Sequence, residues 1–175
     1  LKELCRQEQA KVLSLLTCGE GRFEDFRLDY YGSQVESAYG ASPRAVMEVN
    51  LRKSKQFVEN FGSENLLFVG GTGLGKTFLS ACIARAIAEK GLSVAYEPAG
   101  RLFTKLEKNR FTPTEETQRE TDRLFCADLL IIDDLGTELP GNFVTAALYT
   151  ILNDRLLAGN GIAGKGFAVV SVIHT

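Results

Sequence analysis

An α/β domain built on a parallel sheet is the fold class this sequence predicts, and three observations carry the prediction. From about residue 66 onward, short apolar runs alternate with stretches of helical periodicity. One run, Leu129-Leu130-Ile131-Ile132, is apolar at every position, as a strand covered on both faces must be. A glycine-rich segment, Gly70-Gly71-Thr72-Gly73-Leu74-Gly75-Lys76-Thr77, joins the first apolar run to the first helical stretch. Strands separated by helices have room to cross over and pair in parallel, with the helices on the sheet's faces.

The elements follow in order. Residues 1–18 carry Leu4, Val12, Leu15 and Leu16 among charges, a weak helix ended by Cys18-Gly19-Glu20-Gly21. We read residues 1–21 as a linker helix leading from something upstream, and residues 22–175 as the domain core. The chain opens without Met, which suggests a fragment. The aromatic segment Arg22 to Tyr31 is expected to be extended or irregular. Ser42-Pro43 opens a helix to about Asn60, with Pro in the first turn. Leu66-Leu67-Phe68-Val69 is a strand. A helix over Thr77 to Lys90 places Phe78, Leu79, Cys82, Ile83, Ala86 and Ile87 at helical spacing and stops at Gly91. Leu92 to Glu97 is the second strand. Residues 99–110 and 115–126 are helices split by Thr112-Pro113. Leu129 to Ile132 is the third strand. Residues 142–158 form a helix with Val144, Ala147, Leu148, Ile151 and Leu152 inward, and Phe167 to Ile173 is the fourth strand.

Composition bounds the class. The 175 residues are 45% hydrophobic and 24% charged, enough for one domain with a real core. No apolar run reaches the roughly 18–20 residues that span a bilayer, and Leu1 to Glu8 is too polar for a signal peptide. A net charge of −2 gives no overall attraction for nucleic acid. Four scattered cysteines (Cys5, Cys18, Cys82, Cys126) and the single His174 argue against a disulfide framework or zinc site. A cytoplasmic protein with reduced thiols is expected.

The glycine-rich segment is a phosphate-binding loop, G-x-x-x-x-G-K-[ST], between a strand and a helix as the motif requires. Its N–H groups can converge on phosphate oxygens, and the following helix adds the positive end of its dipole. The expected ligand is ATP or ADP with Mg²⁺, held by Gly70, Gly71, Thr72, Gly73, Leu74, Gly75, Lys76, Thr77 and Phe78. Lys76 is expected on an exposed loop, reaching the β- and γ-phosphates without a packing role; the Thr77 hydroxyl is expected to hold Mg²⁺. Asp133 and Asp134 follow the apolar run at the end of what is expected to be a neighbouring strand. Asp133 is the candidate for orienting Mg²⁺ and its waters. Asp134 is the candidate for polarising the attacking water, although aspartate is a methylene shorter than glutamate.

With these residues in place, the chain resembles a known family. Leu129 to Glu138 resembles the Walker B segment of the DnaC/DnaI helicase loaders and the IstB transposition helpers, on the initiator side of the AAA+ ATPases. Arg22-Phe23-Glu24-Asp25-Phe26 resembles their entry segment, and Leu148 to Arg155 their helix after Walker B. In that family Asp-Asp at the strand end is common. The resemblance implies a P-loop NTPase of the AAA+ type, truncated here before the C-terminal lid. It also implies ATP-controlled loading of a hexameric replicative helicase, with single-stranded DNA as second ligand and self-assembly in the full-length protein only. The glycine-rich Ala158 to Gly166 and the absence of an Asn from Val170 to Thr175 depart from the family's sensor-1 strand, leaving Ser171 or Thr175 as substitutes.

Three further expectations follow. Arg101, Lys105 and Lys108 fall on one helix face and form a candidate DNA stripe, against a solvated face balanced by Glu107, Glu115, Glu116, Glu120 and Asp122. One of Phe23, Phe26, Tyr30 and Tyr31 is expected to line the adenine pocket. Turnover by this chain alone is expected to be weak, and a robust monomeric ATPase would point to Arg110 or Arg155 acting in cis. The function expected is therefore that of a helicase loader, with a transposition helper and a nucleotide-binding module with little turnover as the alternatives.

Overall fold

Ser42 caps the first long helix, α1 (Pro43–Glu59), by accepting a hydrogen bond from the Ala45 amide at 3.2 Å. The proline beside it needs no amide partner at that position. The structure, a computed structural model, describes residues 21–35, 40–62, 64–136, 141–159 and 168–174. The weak helix expected over residues 1–18, most of the glycine-rich stretch after the last helix, and Thr175 lie outside the described residues. Before α1, residues 22–31 form two single 3₁₀ turns, Phe23–Asp25 and Leu28–Tyr30, the irregular segment expected.

The elements then alternate as β1 (Leu66–Gly70), α2 (Lys76–Glu89), β2 (Val94–Pro98), α3 (Ala99–Phe111), α4 (Glu115–Cys126), β3 (Leu129–Leu135), α5 (Asn142–Gly159) and β4 (Ala168–His174). All pairings are parallel, in the order β1-β4-β3-β2. β3 alternates its apolar side chains between two cores. Leu129 and Ile131 join Phe68, Leu79, Ile83 and Ile87 on the α1–α2 face. Leu130 and Ile132 join Ala99, Leu102, Leu124 and Ile151 on the α3–α4–α5 face. All four β3 residues are 0% exposed, as a strand inside a doubly covered parallel sheet requires.

Two boundaries differ from expectation for local reasons, and the strand order differs as well. β2 begins at Val94 rather than Leu92, because Gly91 turns left-handed (φ +83°) and the Leu92 amide donates back to the Ile87 carbonyl. Those residues finish α2 before the strand can start. β3 runs on to Leu135, through a register shift between Ile132 and Leu135. And β3 does not neighbour β1: β4 lies between them. Among the described residues no helix is long and apolar enough to cross a membrane.

Candidate nucleotide site

The phosphate loop turns where its glycines allow it. Gly73 and Gly75 have φ of +77° and +85°, conformations that side chains with a Cβ rarely adopt. At Gly75 the space is also taken, since an added Cβ would stand 2.6 Å from the Tyr31 hydroxyl. Gly75 caps α2 with no side chain of its own, so the first N–H groups of the helix remain available to an anion. Lys76 is not the exposed loop residue expected. It is 6% exposed, and its ammonium donates to the carbonyls of Gly70 at 2.8 Å and Gly71 at 2.6 Å. The cation is thus gathered into the loop by oxygens of the kind a phosphate offers.

Thr77, in the first turn of α2, donates its hydroxyl to Asp133 Oδ1 at 3.4 Å. The intervening β4 does not separate them, because α2 crosses over the sheet face toward β3. Asp133 is 5% exposed. Its Oδ1 also accepts the Asp134 amide at 3.0 Å, and its Oδ2 accepts the Tyr96 hydroxyl at 2.5 Å. A hydroxyl and a carboxylate are hard oxygen donors that suit Mg²⁺, which is commonly held by one or two protein oxygens with phosphates and water completing the shell. Among the described residues no three His, Cys, Asp or Glu side chains gather into a metal cage. The donor set fits an ion delivered with phosphates.

Asp134 is exposed and left-handed (φ +56°), at the irregularity that breaks the β3 register. The kink takes its side chain out of the strand's alternation and leaves it at the open end of the sheet, beside the buried Asp133.

Two entry-segment aromatics reach the loop. Tyr31 donates its hydroxyl to the Leu74 carbonyl at 3.1 Å and stacks on Phe26, with ring centroids 5.8 Å apart. Phe26 in turn lies 5.9 Å from Phe78. Phe23 packs against the α1–α2 core with Lys55 over its ring, and Tyr30 is 79% exposed. Tyr31 thus meets the loop at Leu74 and Gly75, and Phe26 meets the first turn of α2 at Phe78. Ser171 is level with Ile132 and Leu67 in the sheet, whereas His174 is level with Gly70, where the loop begins. Tyr96 carries no motif that would mark it for this site, since a tyrosine in a strand is an ordinary core residue by sequence.

The basic stripe is divided. Arg101 and Lys108 are exposed on α3, but Lys105 is ion-paired with Glu97. Arg110 lies over the rings of Phe111 and Phe143, at 5.6 and 5.8 Å. Arg155 cannot act at the nucleotide. It is 2% exposed, and its guanidinium donates to the carbonyls of Leu124, Phe125, Ala127 and Asp128. That cluster lies at the start of β3, about 15 Å of strand from Asp133. Burial lowers the Arg155 pKa to about 10, which leaves it charged at neutral pH.

Comparison with known proteins places this arrangement. The pattern of the IstB-like ATP-binding proteins matches residues 24–162. A protein assigned as the ATP-binding protein of insertion sequence IS21 in Pseudomonas aeruginosa is 34% identical over 115 residues, 64% of this chain and 42% of the relative. The chain thus spans less than half the length of that relative. The fold is that of an AAA+ P-loop NTPase. The structure of DnaI superposes with a TM-score of 0.67 at 19% identity, covering 93% of this chain and 74% of that one. The DnaC helicase loader superposes with a TM-score of 0.61 at 21% identity, covering 87% and 79%.

Proposed function

The chain belongs to the IstB-like ATP-binding family, and from that premise we propose that it binds ATP with Mg²⁺ and serves as the ATP-dependent helper of an insertion-sequence transposase. The observation that carries the nucleotide reading is the convergence of Lys76, Thr77 and Asp133 on one glycine-turned loop. Lys76 exchanges its two carbonyl partners for oxygens of the β- and γ-phosphates. Loop amides and the start of α2 supply the remaining donors. Mg²⁺, when bound, neutralises charge on the phosphates, and Thr77 and Asp133 are the residues that hold it, directly or through water. Asp134 orients the attacking water from the exposed end of β3. Phe26 and Tyr31 form the wall nearest the loop and are the best placed of the four entry aromatics to meet the base.

The transposition reading rests on the insertion-sequence relative at 34% identity. A second reading, loading of a hexameric replicative helicase onto single-stranded DNA, has support from the fold likeness to DnaC and DnaI. In both readings DNA meets Arg101 and Lys108 on α3, with Lys105 tied to Glu97.

Calorimetry with ATP, with and without Mg²⁺, tests the nucleotide reading. Lys76→Ala should bind ATP far more weakly than the wild-type chain, and equal affinity would remove the site. Pull-downs with the cognate transposase and with the replicative helicase divide the partner readings. Retention of the helicase alone would replace the first reading by the second.

A further inference from the structure

We propose that Tyr96 is a positioning residue for the metal-binding carboxylate: its phenol holds one oxygen of Asp133, so that the other is turned to Thr77 and the phosphate loop. The proposal rests on the reading of Asp133 as the Mg²⁺ carboxylate, and its test keeps the two separable.

The sheet register sets up the contact. Tyr96 pairs with Ile131 and Pro98 with Asp133. Tyr96 therefore stands two residues short of Asp133's level. Ile131 and Asp133 share one face of β3, and the Tyr96 side chain shares that face on β2. A tyrosine spans such a diagonal readily. Its ring packs against the α1–α2 core, beside Leu129 and Ile131. Its hydroxyl emerges at the end of that core, 2.5 Å from Asp133 Oδ2.

The carboxylate's two oxygens are divided between different tasks. Oδ2 goes to Tyr96, while Oδ1 faces Thr77 and the Asp134 amide. A carboxylate turns about its last bond with little resistance. One short bond from a phenol anchored in a packed core fixes the plane of the group, and so fixes which oxygen is presented. Partners of this kind orient a metal ligand without touching the metal, and losing one typically costs ten- to a hundredfold in metal affinity. The alternative is that Tyr96 is an ordinary core aromatic whose hydroxyl happens to end near a carboxylate. Its ring alone would then matter.

Phenylalanine separates the two, because it keeps the ring and removes the hydroxyl. Binding of a non-hydrolysable ATP analogue is titrated against Mg²⁺ for the wild-type chain, Tyr96→Phe, Asp133→Asn and the double variant, with Tm recorded for each. Tyr96→Phe should raise the Mg²⁺ needed for half-maximal enhancement of binding about tenfold, leave metal-free affinity within about twofold, and keep Tm near wild type. In the Asp133→Asn background the same change should add nothing, since Tyr96 acts through the carboxylate. A Tyr96→Phe chain with wild-type Mg²⁺ dependence, beside a shifted Asp133→Asn chain, would overturn the positioning role alone. Equal losses with and without Mg²⁺, or additive effects in the double variant, would overturn it as well. Unchanged Mg²⁺ dependence in Asp133→Asn would bring down both this proposal and the metal reading beneath it.

Discussion

The two ends of β3 each hold a buried cluster of charged and polar groups, and they differ in who their partners are. At the start of the strand, Arg155 donates to the carbonyls of Leu124, Phe125, Ala127 and Asp128. Beside it, the Ser93 amide and hydroxyl both donate to Asp128 Oδ2, at 2.8 and 2.7 Å. The acceptors of Arg155 are main-chain carbonyls of the last turn of α4 and the start of β3, a site that a helix dipole and unpaired carbonyls make attractive to a cation. That cluster is closed. At the far end, Lys76 borrows carbonyls from the phosphate loop, and Asp133 borrows hydroxyls from Thr77 and Tyr96. Phosphate oxygens can replace the former and a cation can join the latter. Burial of charge therefore does not by itself mark function in this molecule. On the proposed reading, what separates the two ends is whether the partners can be exchanged for those of a ligand.

The contrast can be broken in four ways. The largest effect is expected from Arg155→Met, which leaves the last carbonyls of α4 without a donor. It should cost about 3 kcal/mol, a Tm fall of roughly 10 °C for a domain of this size. ATP affinity of the folded fraction should stay within about twofold. Thermal melts with nucleotide titrations check both, and a variant with intact Tm but lost binding would reverse the assignment of the two ends. Lys76→Ala should act in the opposite sense. ATP affinity should fall roughly ten- to a hundredfold, the worth of hydrogen bonds to a charged group, while Tm without nucleotide shifts by far less than in Arg155→Met. Calorimetry beside a melt gives the answer.

Asp128→Asn sharpens the picture at the closed end. It keeps an acceptor for Ser93 but loses the charge, and should cost about 1 kcal/mol with no change in Mg²⁺ dependence. Denaturant titration measures the first quantity and a metal titration the second. The smallest effect is expected at Glu97, which stands one residue before the end of β2, level with Ile132 and so near Asp133's end of the sheet, but is paired with Lys105. Lys105→Ala should change stability by less than about 1 kcal/mol and leave ATP binding unaltered. If it weakens ATP binding more than about threefold, position at the strand end, rather than exchangeable partners, decides which groups serve the nucleotide.

Much of the core was legible because burial leaves local signs. The unbroken apolar run of Leu129 to Ile132 required covering on both sides, and α1–α2 and α3–α4–α5 supply the two covers. Ser42-Pro43 and Gly91 announced a helix start and a helix stop through their own backbone chemistry. The phosphate loop is legible for the same reason: its turns need glycines at Gly73 and Gly75 whatever surrounds them.

Other features depend on neighbours far along the chain, and no local pattern announces them. The sequence by itself determined the loop, the residue types at the strand end and the alternation of elements. Each of these follows from dihedral freedom or from periodicity, which act within a few residues. Only the tertiary structure decided that β4 enters between β1 and β3, that Tyr31 closes on the loop at Gly75, and that Tyr96 rather than a motif residue holds Asp133. It also decided that Arg155, which the sequence left open as a residue acting in cis, is spent on the carbonyls that end α4. Partners of this kind are set by strand order and register, which bring residues 30 or more positions apart into hydrogen-bond reach, and a hydrogen bond across that distance leaves no periodic trace in either segment.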